Sequence, residues 1–286
     1  MLSVNNPPLY SPFYLRRFLA VIICCLSLAL AKAGRSLFVS ADSNAAAFAA
    51  AAEENAGLKF DLIWTFSARP QRGWYLYVPL IQRLIDTDSA PETKAFAQAL
   101  ADWQRSVGLA STGVLSQETW MKMVAVFQSR RIKDRSTPPT ERLTLAPASE
   151  FFDPERPECL RGVERQAYGA YKELVAAAAA DHSLSSDENW LKIISAFRSP
   201  AYQAQLRKQN PRSGRAGLAV NSPHFTGRAL DLYVGGEPVS TNDRNREIQV
   251  NTKVYQWLVK NAERFNFYPY FYEPWHWEYC PQNSAE

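Results

Sequence analysis

The feature that most limits how this chain can fold is the placement of its histidines. Only three occur among 286 residues, and two of them, His224 and His276, lie in the unusual stretches Ser222–Asp231 and Glu273–Tyr279. Asp231 falls in an apolar stretch, where a lone carboxylate is costly to bury unless it is paired or bound to metal. Two imidazoles and one carboxylate suit a hydrolytic zinc site, whose fourth position is left for water. The sequence therefore predicts that two distant segments meet at one ion; the alternative is that both histidines are buried and hydrogen-bonded.

The residues beside these groups favour the same arrangement. Gly227 lies in a turn that can bring His224 and Asp231 back to one ion. Glu273 precedes His276 by three residues, and the intervening proline breaks strand regularity, so both side chains can face one cavity. A carboxylate beside a metal-bound water is what a general base requires, and Glu273 is the candidate.

The two stretches resemble those of the zinc D-alanyl-D-alanine carboxypeptidases of the VanY type. The patterns of that family, S-x-H-x-x-G-x-A-x-D and E-P-W-H, are present at Ser222–Asp231 and Glu273–His276, and the resemblance extends over Leu160–Tyr279. It implies a small antiparallel sheet with flanking helices, as in the hedgehog/DD-peptidase-like fold. It also implies zinc ligands at His224, Asp231 and His276, and a catalytic base at Glu273.

A third stretch agrees with this resemblance. Ser195–Ser199, followed by Gln203, is similar to the family's S-G-Y-R-S…Q, with Ala-Phe in place of the commoner Gly-Tyr. By the resemblance, Arg198 would bind the substrate carbonyl or the oxyanion that develops on it. Ser222 and Gln203 would help to hold the substrate peptide. Taken alone, an arginine at position 198 is also explained by a surface ion pair.

The resemblance implies removal of a terminal D-alanine from peptidoglycan stem peptides by metal-activated water. An L,D-carboxypeptidase and a peptidoglycan endopeptidase are alternatives, because specificity lies in the shape of a pocket that these motifs do not encode. A further alternative is a non-catalytic wall-binding protein with a structural metal. The presence of Glu273 argues against it, since a structural zinc site closes its fourth position and needs no base.

The first 33 residues are typical of an export signal. Arg16 and Arg17 form a positive region, and Ala31-Lys32-Ala33 fits the small-x-small cleavage pattern. The apolar stretch between them is shorter than the about 20 residues that a membrane span needs. We expect cleavage after Ala33 and a mature protein in the periplasm or cell envelope. The alternative is an uncleaved leader, which would be the chain's contact with the membrane.

Removal of the leader changes the charge and the cysteine content. It takes three basic residues and no acidic one, so the formal charge falls from +4 to +1, which gives no support to a nucleic-acid partner. Cys159 and Cys280 remain, an even number for an oxidising compartment. A disulfide between them is a hypothesis, because spacing alone cannot show that two sulfurs meet.

The segments between the leader and the motifs differ in character. Residues 34–73 receive no function, although their alanine-rich run at 44–56 is compatible with a helix. Residues 74–131 show three short helices by apolar spacing. Their stretches 99–109, 112–115 and 118–120 resemble a three-helix peptidoglycan-binding domain, which implies docking on the wall polymer. Residues 132–147 are rich in charge, Pro, Thr and Ser and are predicted to be a linker.

Residues 148–286 are the predicted catalytic domain. Helices are predicted at 160–181 and 248–265, and strands at 190–197, 228–234 and, in two pieces broken at Pro274, 268–279. Helices and strands are segregated and do not alternate regularly, which is typical of an α+β fold.

Overall fold

The computed structural model describes residues 44–184, 187–211 and 218–281. The leader predicted at 1–33 lies outside the described residues. The described residues from Ala51 onward form one compact unit. Residues 44–61 form helix α1, which includes the alanine-rich run. Across the described ranges, no helix combines the length and the apolar character that a membrane span requires.

Residues 63–129 combine a hairpin with three helices. Strands β1 (Ile63–Phe66) and β2 (Arg69–Arg72) pair antiparallel. Helices α2 (Val78–Leu84), α3 (Lys94–Ser106) and α4 (Gln117–Ser129) follow. The side chains of Thr93 and Ser116 accept the amide hydrogens at the first turns of α3 and α4, which fixes where these helices begin. The three short helices expected in this segment are therefore present.

The rest of the chain is built on a four-stranded antiparallel sheet with the strand order β5-β6-β8-β7. Its strands are β5 (Ile193–Ser195), β6 (Ala229–Leu232), β7 (Phe267–Pro269) and β8 (His276–Tyr279). A separate antiparallel pair joins β3 (Leu143–Leu145) to β4 (Gly162–Glu164). The helices of this part are α5 (Arg165–Ala179), α6 (Pro200–Gln209), α7 (Asp243–Val250) and α8 (Lys253–Asn261). The predicted α+β class is confirmed.

Two predicted helices have other bounds in the structure, and side-chain caps explain both. The helix expected at 160–181 begins only at Arg165, because the Glu164 carboxylate accepts the amides of Gln166 and Ala167 and β4 precedes it. The helix expected at 248–265 is two helices, α7 and α8. Thr252 separates them, since its hydroxyl accepts the amide of Tyr255 and donates to the carbonyl of Val234. The prediction for 248–265 is thus wrong in the number of helices, and the prediction for 160–181 is wrong in its starting residue.

A continuous apolar core joins residues 63–129, called the helical segment below, to the four-stranded sheet. Phe271, in the loop between β7 and β8, is its central contact. Its ring centroid lies 6.4 Å from that of Trp64, 5.5 Å from that of Tyr77, 6.3 Å from that of Trp120 and 6.2 Å from that of Phe127. The loop that precedes β8 is therefore fixed by side chains from β1, α4 and the turn before α2.

Candidate metal centre

The strand register brings two of the three predicted ligands together. In the antiparallel pair of β6 and β8, Asp231 lies opposite His276. Residues directly opposite on neighbouring strands have their side chains on the same face, so this pairing fixes both groups side by side. On its other edge Asp231 pairs with Ser195 of β5. Strand pairing thus brings Asp231 and His276 together although they are distant in the sequence.

A short 3-10 helix, Pro223–Thr226, brings His224 to the same place. Ser222 begins this turn, where its hydroxyl accepts the amide of His224 at 3.3 Å. Gly227 ends the turn with φ +66°, a conformation that favours glycine. A Cβ on Gly227 would lie 2.9 Å from Leu143 Cδ2 and 3.0 Å from the amide nitrogen of Glu164. The turn therefore depends on glycine for both its backbone conformation and its space.

Potential ligand atoms of His224, Asp231 and His276 all lie within 4.8 Å of one another, and all three residues are buried. His276 Nδ1 is 2.8 Å from Asp231 Oδ1, and His224 Nε2 is 3.3 Å from Asp231 Oδ2. The two imidazole rings stand nearly perpendicular, with their centroids 4.9 Å apart. Three donors of the type that binds zinc thus converge from two strands and one turn.

The second nitrogen of each imidazole is occupied by the protein. His224 Nδ1 lies 2.7 Å from the carbonyl oxygen of Ala196, and His276 Nε2 lies 3.1 Å from Glu278 Oε1. These acceptors direct His224 Nε2 and His276 Nδ1 toward Asp231. His224 Nε2 is buried, and although it is close to Asp231 it has no hydrogen-bond partner among the described residues. A buried ring nitrogen of this kind suits a metal ligand, because a ligating histidine typically uses its other nitrogen for such a hydrogen bond.

Electrostatics keep two of the three groups in the protonation state that a metal requires. Burial, with the nearby Arg198 charge, lowers the pKa of His224 to about 4. Burial opposes ionisation of Asp231, yet the neighbouring His224 and His276 hold its pKa well below the usual range. Burial also acts against a charge on His276, but its hydrogen bonds to Asp231 and Glu278 raise its pKa to about 9. A bound cation would displace the proton that His276 shares with Asp231.

Glu273 lies beside these groups in a small cavity of about 60 Å³. The cavity is larger than the roughly 10–15 Å³ that one water molecule needs. Its walls include His224, His276, Ser222 and Arg198. Glu273 is buried, and its Oε1 has no hydrogen-bond partner in the described part of the chain. Burial raises the pKa of Glu273 to about 7, so this carboxyl can exchange a proton near neutral pH.

Arg198 is buried behind the cluster and is not a surface residue. Its Nη2 donates to Asp231 Oδ2 at 3.4 Å, and its Nη1 donates to Gln203 Oε1 at 3.2 Å. Gln203 in turn donates to the carbonyl of Ala219 at 3.0 Å. The structure therefore places Gln203 behind Arg198, while Arg198 and Ser222 border the cavity itself.

The disulfide predicted between Cys159 and Cys280 is not formed in the structure, where both are free thiols; Cys159 is exposed and Cys280 is half-buried. Burial raises the pKa of the Cys280 thiol to about 11.

Two charged residues that the motifs leave without a role also belong to the site. Glu278 is 1% exposed and bonds both His276 and Arg131. The alternation of side chains along a strand could have indicated Glu278, because it lies two residues after His276 and so on the same face. No sequence signal indicates Arg131, which follows α4 and lies far from the motifs along the chain.

Comparison with known families identifies the segment that contains the cluster. Residues 161–282 match the family VanY, D-alanyl-D-alanine carboxypeptidase. The resemblance predicted from the motifs is confirmed for these residues. No curated protein matches the chain. Residues 74–131 lie outside the match, and their likeness to a wall-binding domain stays a prediction.

Proposed function

We propose that this chain, which carries a VanY-family peptidase segment at residues 161–282, is a zinc enzyme that removes the terminal D-alanine from peptidoglycan stem peptides. The proposal depends above all on the buried cluster of His224, Asp231 and His276, two members of which border the same cavity as Glu273. A structural metal site would have a fourth protein ligand in that position, and this cluster has an ionisable carboxyl across a cavity.

His224 Nε2, one Asp231 oxygen and His276 Nδ1 would hold the zinc ion. The hydrogen bonds that the opposite ring nitrogens make to the Ala196 carbonyl and the Glu278 carboxylate support this choice of atoms. A zinc ion bound there would supply a Lewis acid for the scissile carbonyl and for the attacking water.

Glu273 moves the proton in this mechanism. Its carboxylate accepts a proton from the water as the water oxygen attacks the carbonyl carbon. The same carboxyl then donates that proton to the leaving nitrogen as the C–N bond breaks. A pKa raised to about 7 suits both steps, because a group titrating near the working pH can accept and release a proton.

Arg198 stabilises the charge that develops on the carbonyl oxygen. Its guanidinium borders the cavity and is fixed by Asp231 and Gln203, so it needs little reorganisation during the reaction. Ser222, also at the cavity, is available to bind the substrate peptide, whereas Gln203 supports the substrate through Arg198.

We further propose that the enzyme acts outside the cytoplasm. The predicted leader with its cleavage pattern after Ala33 supports export, and the likeness of residues 74–131 to a wall-binding domain supports docking on peptidoglycan. Both features fit a substrate that lies in the cell envelope.

Products from purified muropeptides test the reaction. The zinc-loaded protein is incubated with pentapeptide, tetrapeptide and cross-linked muropeptides, and the products are weighed by mass spectrometry. We expect loss of one terminal D-alanine from the pentapeptide. Loss of D-alanine from the tetrapeptide would identify an L,D-carboxypeptidase, and cleavage of the cross-link an endopeptidase. Binding to wall sacs without any product would identify a non-catalytic wall-binding protein.

A further inference from the structure

The carboxylate of Glu278 is held from outside the VanY-family segment. Arg131 Nε donates to Glu278 Oε1 at 2.8 Å, and Arg131 Nη2 donates to the same oxygen. The backbone amide of Ile132 donates to Glu278 Oε2 at 2.6 Å. Both donor residues precede the matched range, 161–282, and follow directly on α4 of the helical segment. Two residues that follow α4 thus supply three hydrogen bonds to one buried carboxylate.

The ion pair between Arg131 and Glu278 is shielded from solvent. The two side chains are 15% and 1% exposed, respectively. The guanidinium also lies 3.8 Å from the centroid of the Tyr270 ring, and that ring meets His276 edge-on at 5.9 Å between centroids. A charge-assisted pair of this kind fixes the position of its side chains more firmly than a solvent-exposed pair, because water competes less for its hydrogen bonds.

Glu278 in turn fixes the ring of His276. Its Oε1 lies 3.1 Å from His276 Nε2, while His276 Nδ1 faces Asp231 at 2.8 Å. If the Nε2 hydrogen is donated to Glu278, the lone pair of Nδ1 is left for a metal. Carboxylates placed behind ligating histidines orient the ring and increase its basicity in metal sites generally.

We propose that Arg131 is a positioning residue of the metal centre, which holds Glu278 so that Glu278 can orient His276. This inference rests on the proposed function, since it requires that His276 binds the metal. Its consequence is that the chain just after α4, outside the matched range 161–282, completes the metal centre. The neighbouring Arg130 has no such part: its guanidinium is 3.8 Å from Glu263 at the surface, and its side chain is 43% exposed.

Zinc affinity separates these two arginines. The full chain, wild type and with Arg131→Met or Arg130→Met, is titrated with zinc against a chromogenic chelator. We expect Arg131→Met to weaken zinc binding by roughly 10–100-fold, the usual effect of losing a partner behind a ligand, and Arg130→Met to leave it within about twofold. The visible spectrum of the cobalt-substituted protein should change for Arg131→Met alone, because it reports the geometry around the ion.

Two further variants separate positioning from general loss of structure. Glu278→Gln removes the negative charge and leaves a single acceptor oxygen for the hydrogens of His276, Arg131 and Ile132, so it should weaken zinc binding, and adding Arg131→Met to it should weaken binding little more. Arg131→Lys keeps the charge with a single donor group, and should fall between wild type and Arg131→Met. These two variants carry the test if Arg131→Met does not fold.

The outcomes distinguish the inference from the proposed function. Unchanged zinc affinity in Arg131→Met and Arg131→Lys would overturn the positioning role while the proposed function stands. Fully additive losses in the double variant would also overturn it, because the two residues would then act separately. A wild-type chain that binds no zinc would overturn the proposed function, and with it this inference.

Discussion

Asp231 and His276 face each other across strands β6 and β8, with the carboxylate oxygen Oδ1 2.8 Å from the imidazole Nδ1. This contact needs no loop to create it, since the register of two paired strands places both side chains on one face. His224 completes the cluster from the turn that leads into β6. Two of the three groups of this candidate metal site are thus positioned by strand pairing, and the third by a short turn.

Loss of the carboxylate at the centre of the cluster should remove the metal. Asp231 lies between both histidines, so Asp231→Asn should weaken zinc binding by more than the roughly 10–100-fold that partners behind a ligand contribute. Zinc content after dialysis, measured by mass spectrometry, gives the result. Asp88→Asn is the matched control, because Asp88 is 84% exposed and its carboxylate forms a surface pair with Lys260. Equal zinc content in the two variants would contradict the ligand assignment.

Replacement of Glu273 should separate binding from turnover. In Glu273→Gln the cavity keeps its shape, but the side chain can no longer accept a proton, so kcat should fall by roughly 10²–10⁴-fold. Zinc content should stay at the wild-type level, since Glu273 is not one of the converging groups. Both are measured on one preparation. Glu92→Gln, at a half-exposed surface pair with Lys59, should change neither value. Full activity in Glu273→Gln would rule out Glu273 as the base.

Metal-free protein should show the cost of ionising Glu273 as a dependence of stability on pH. Because its folded pKa is raised to about 7, the folded chain keeps a proton that the unfolded chain has already released. Glu273 therefore makes its full contribution to stability below the ordinary pKa of a glutamate. That contribution is lost as pH rises through the folded pKa of about 7. Glutamine does not titrate, so Glu273→Gln should gain stability relative to wild type between about pH 5 and pH 8. Urea unfolding of both proteins at about pH 5 and about pH 8 measures the difference in their free energies of unfolding. The same difference at the two pH values would contradict the raised pKa.

Gly227→Ala should destabilise the turn that carries His224. The left-handed backbone costs a residue with a Cβ roughly 1–2 kcal/mol, and contacts with Leu143 and Glu164 at 2.9 and 3.0 Å add to that. Chemical unfolding should show a loss of roughly 2–4 kcal/mol, within the range of severe single substitutions. Gly169→Ala in α5 is the control: its Cβ meets nothing within 4 Å, so it should gain roughly 0.5–1 kcal/mol from better helix propensity. Similar stability of the two variants would show that the turn tolerates a side chain.

Local chemistry made the cluster predictable from sequence. Two histidines and a buried aspartate in short motifs required a common partner, and the two strand pieces on either side of Pro274 are β7 and β8. The starting point of α5 and the break at Thr252 were missed because each depends on a side-chain cap, and Thr252 also bonds the carbonyl of Val234, which follows β6. Apolar spacing, which identifies a helix, does not show where a hydroxyl or carboxylate interrupts it.

Contacts between segments account for the rest. Arg131 and Glu278 are 147 residues apart, and nothing in the sequence around either one indicates the other. That pairing follows from how the chain after α4 lies against the sheet, and periodicity carries no information about it. Gln203 differs: its family motif implies substrate contact, but its side chain lies behind Arg198, and a motif does not show which way a side chain points.

The aromatic contacts of Phe271 limit how the chain can be rearranged. This residue is two positions before Glu273, and its partners Trp64, Tyr77, Trp120 and Phe127 all come from the helical segment. The loop that carries Glu273 is thereby anchored by side chains that lie outside the matched range 161–282. Residues 161–282 are therefore not an independent unit. Transplanting them onto another protein would expose Phe271 to solvent and remove the packing contacts that support the loop carrying Glu273.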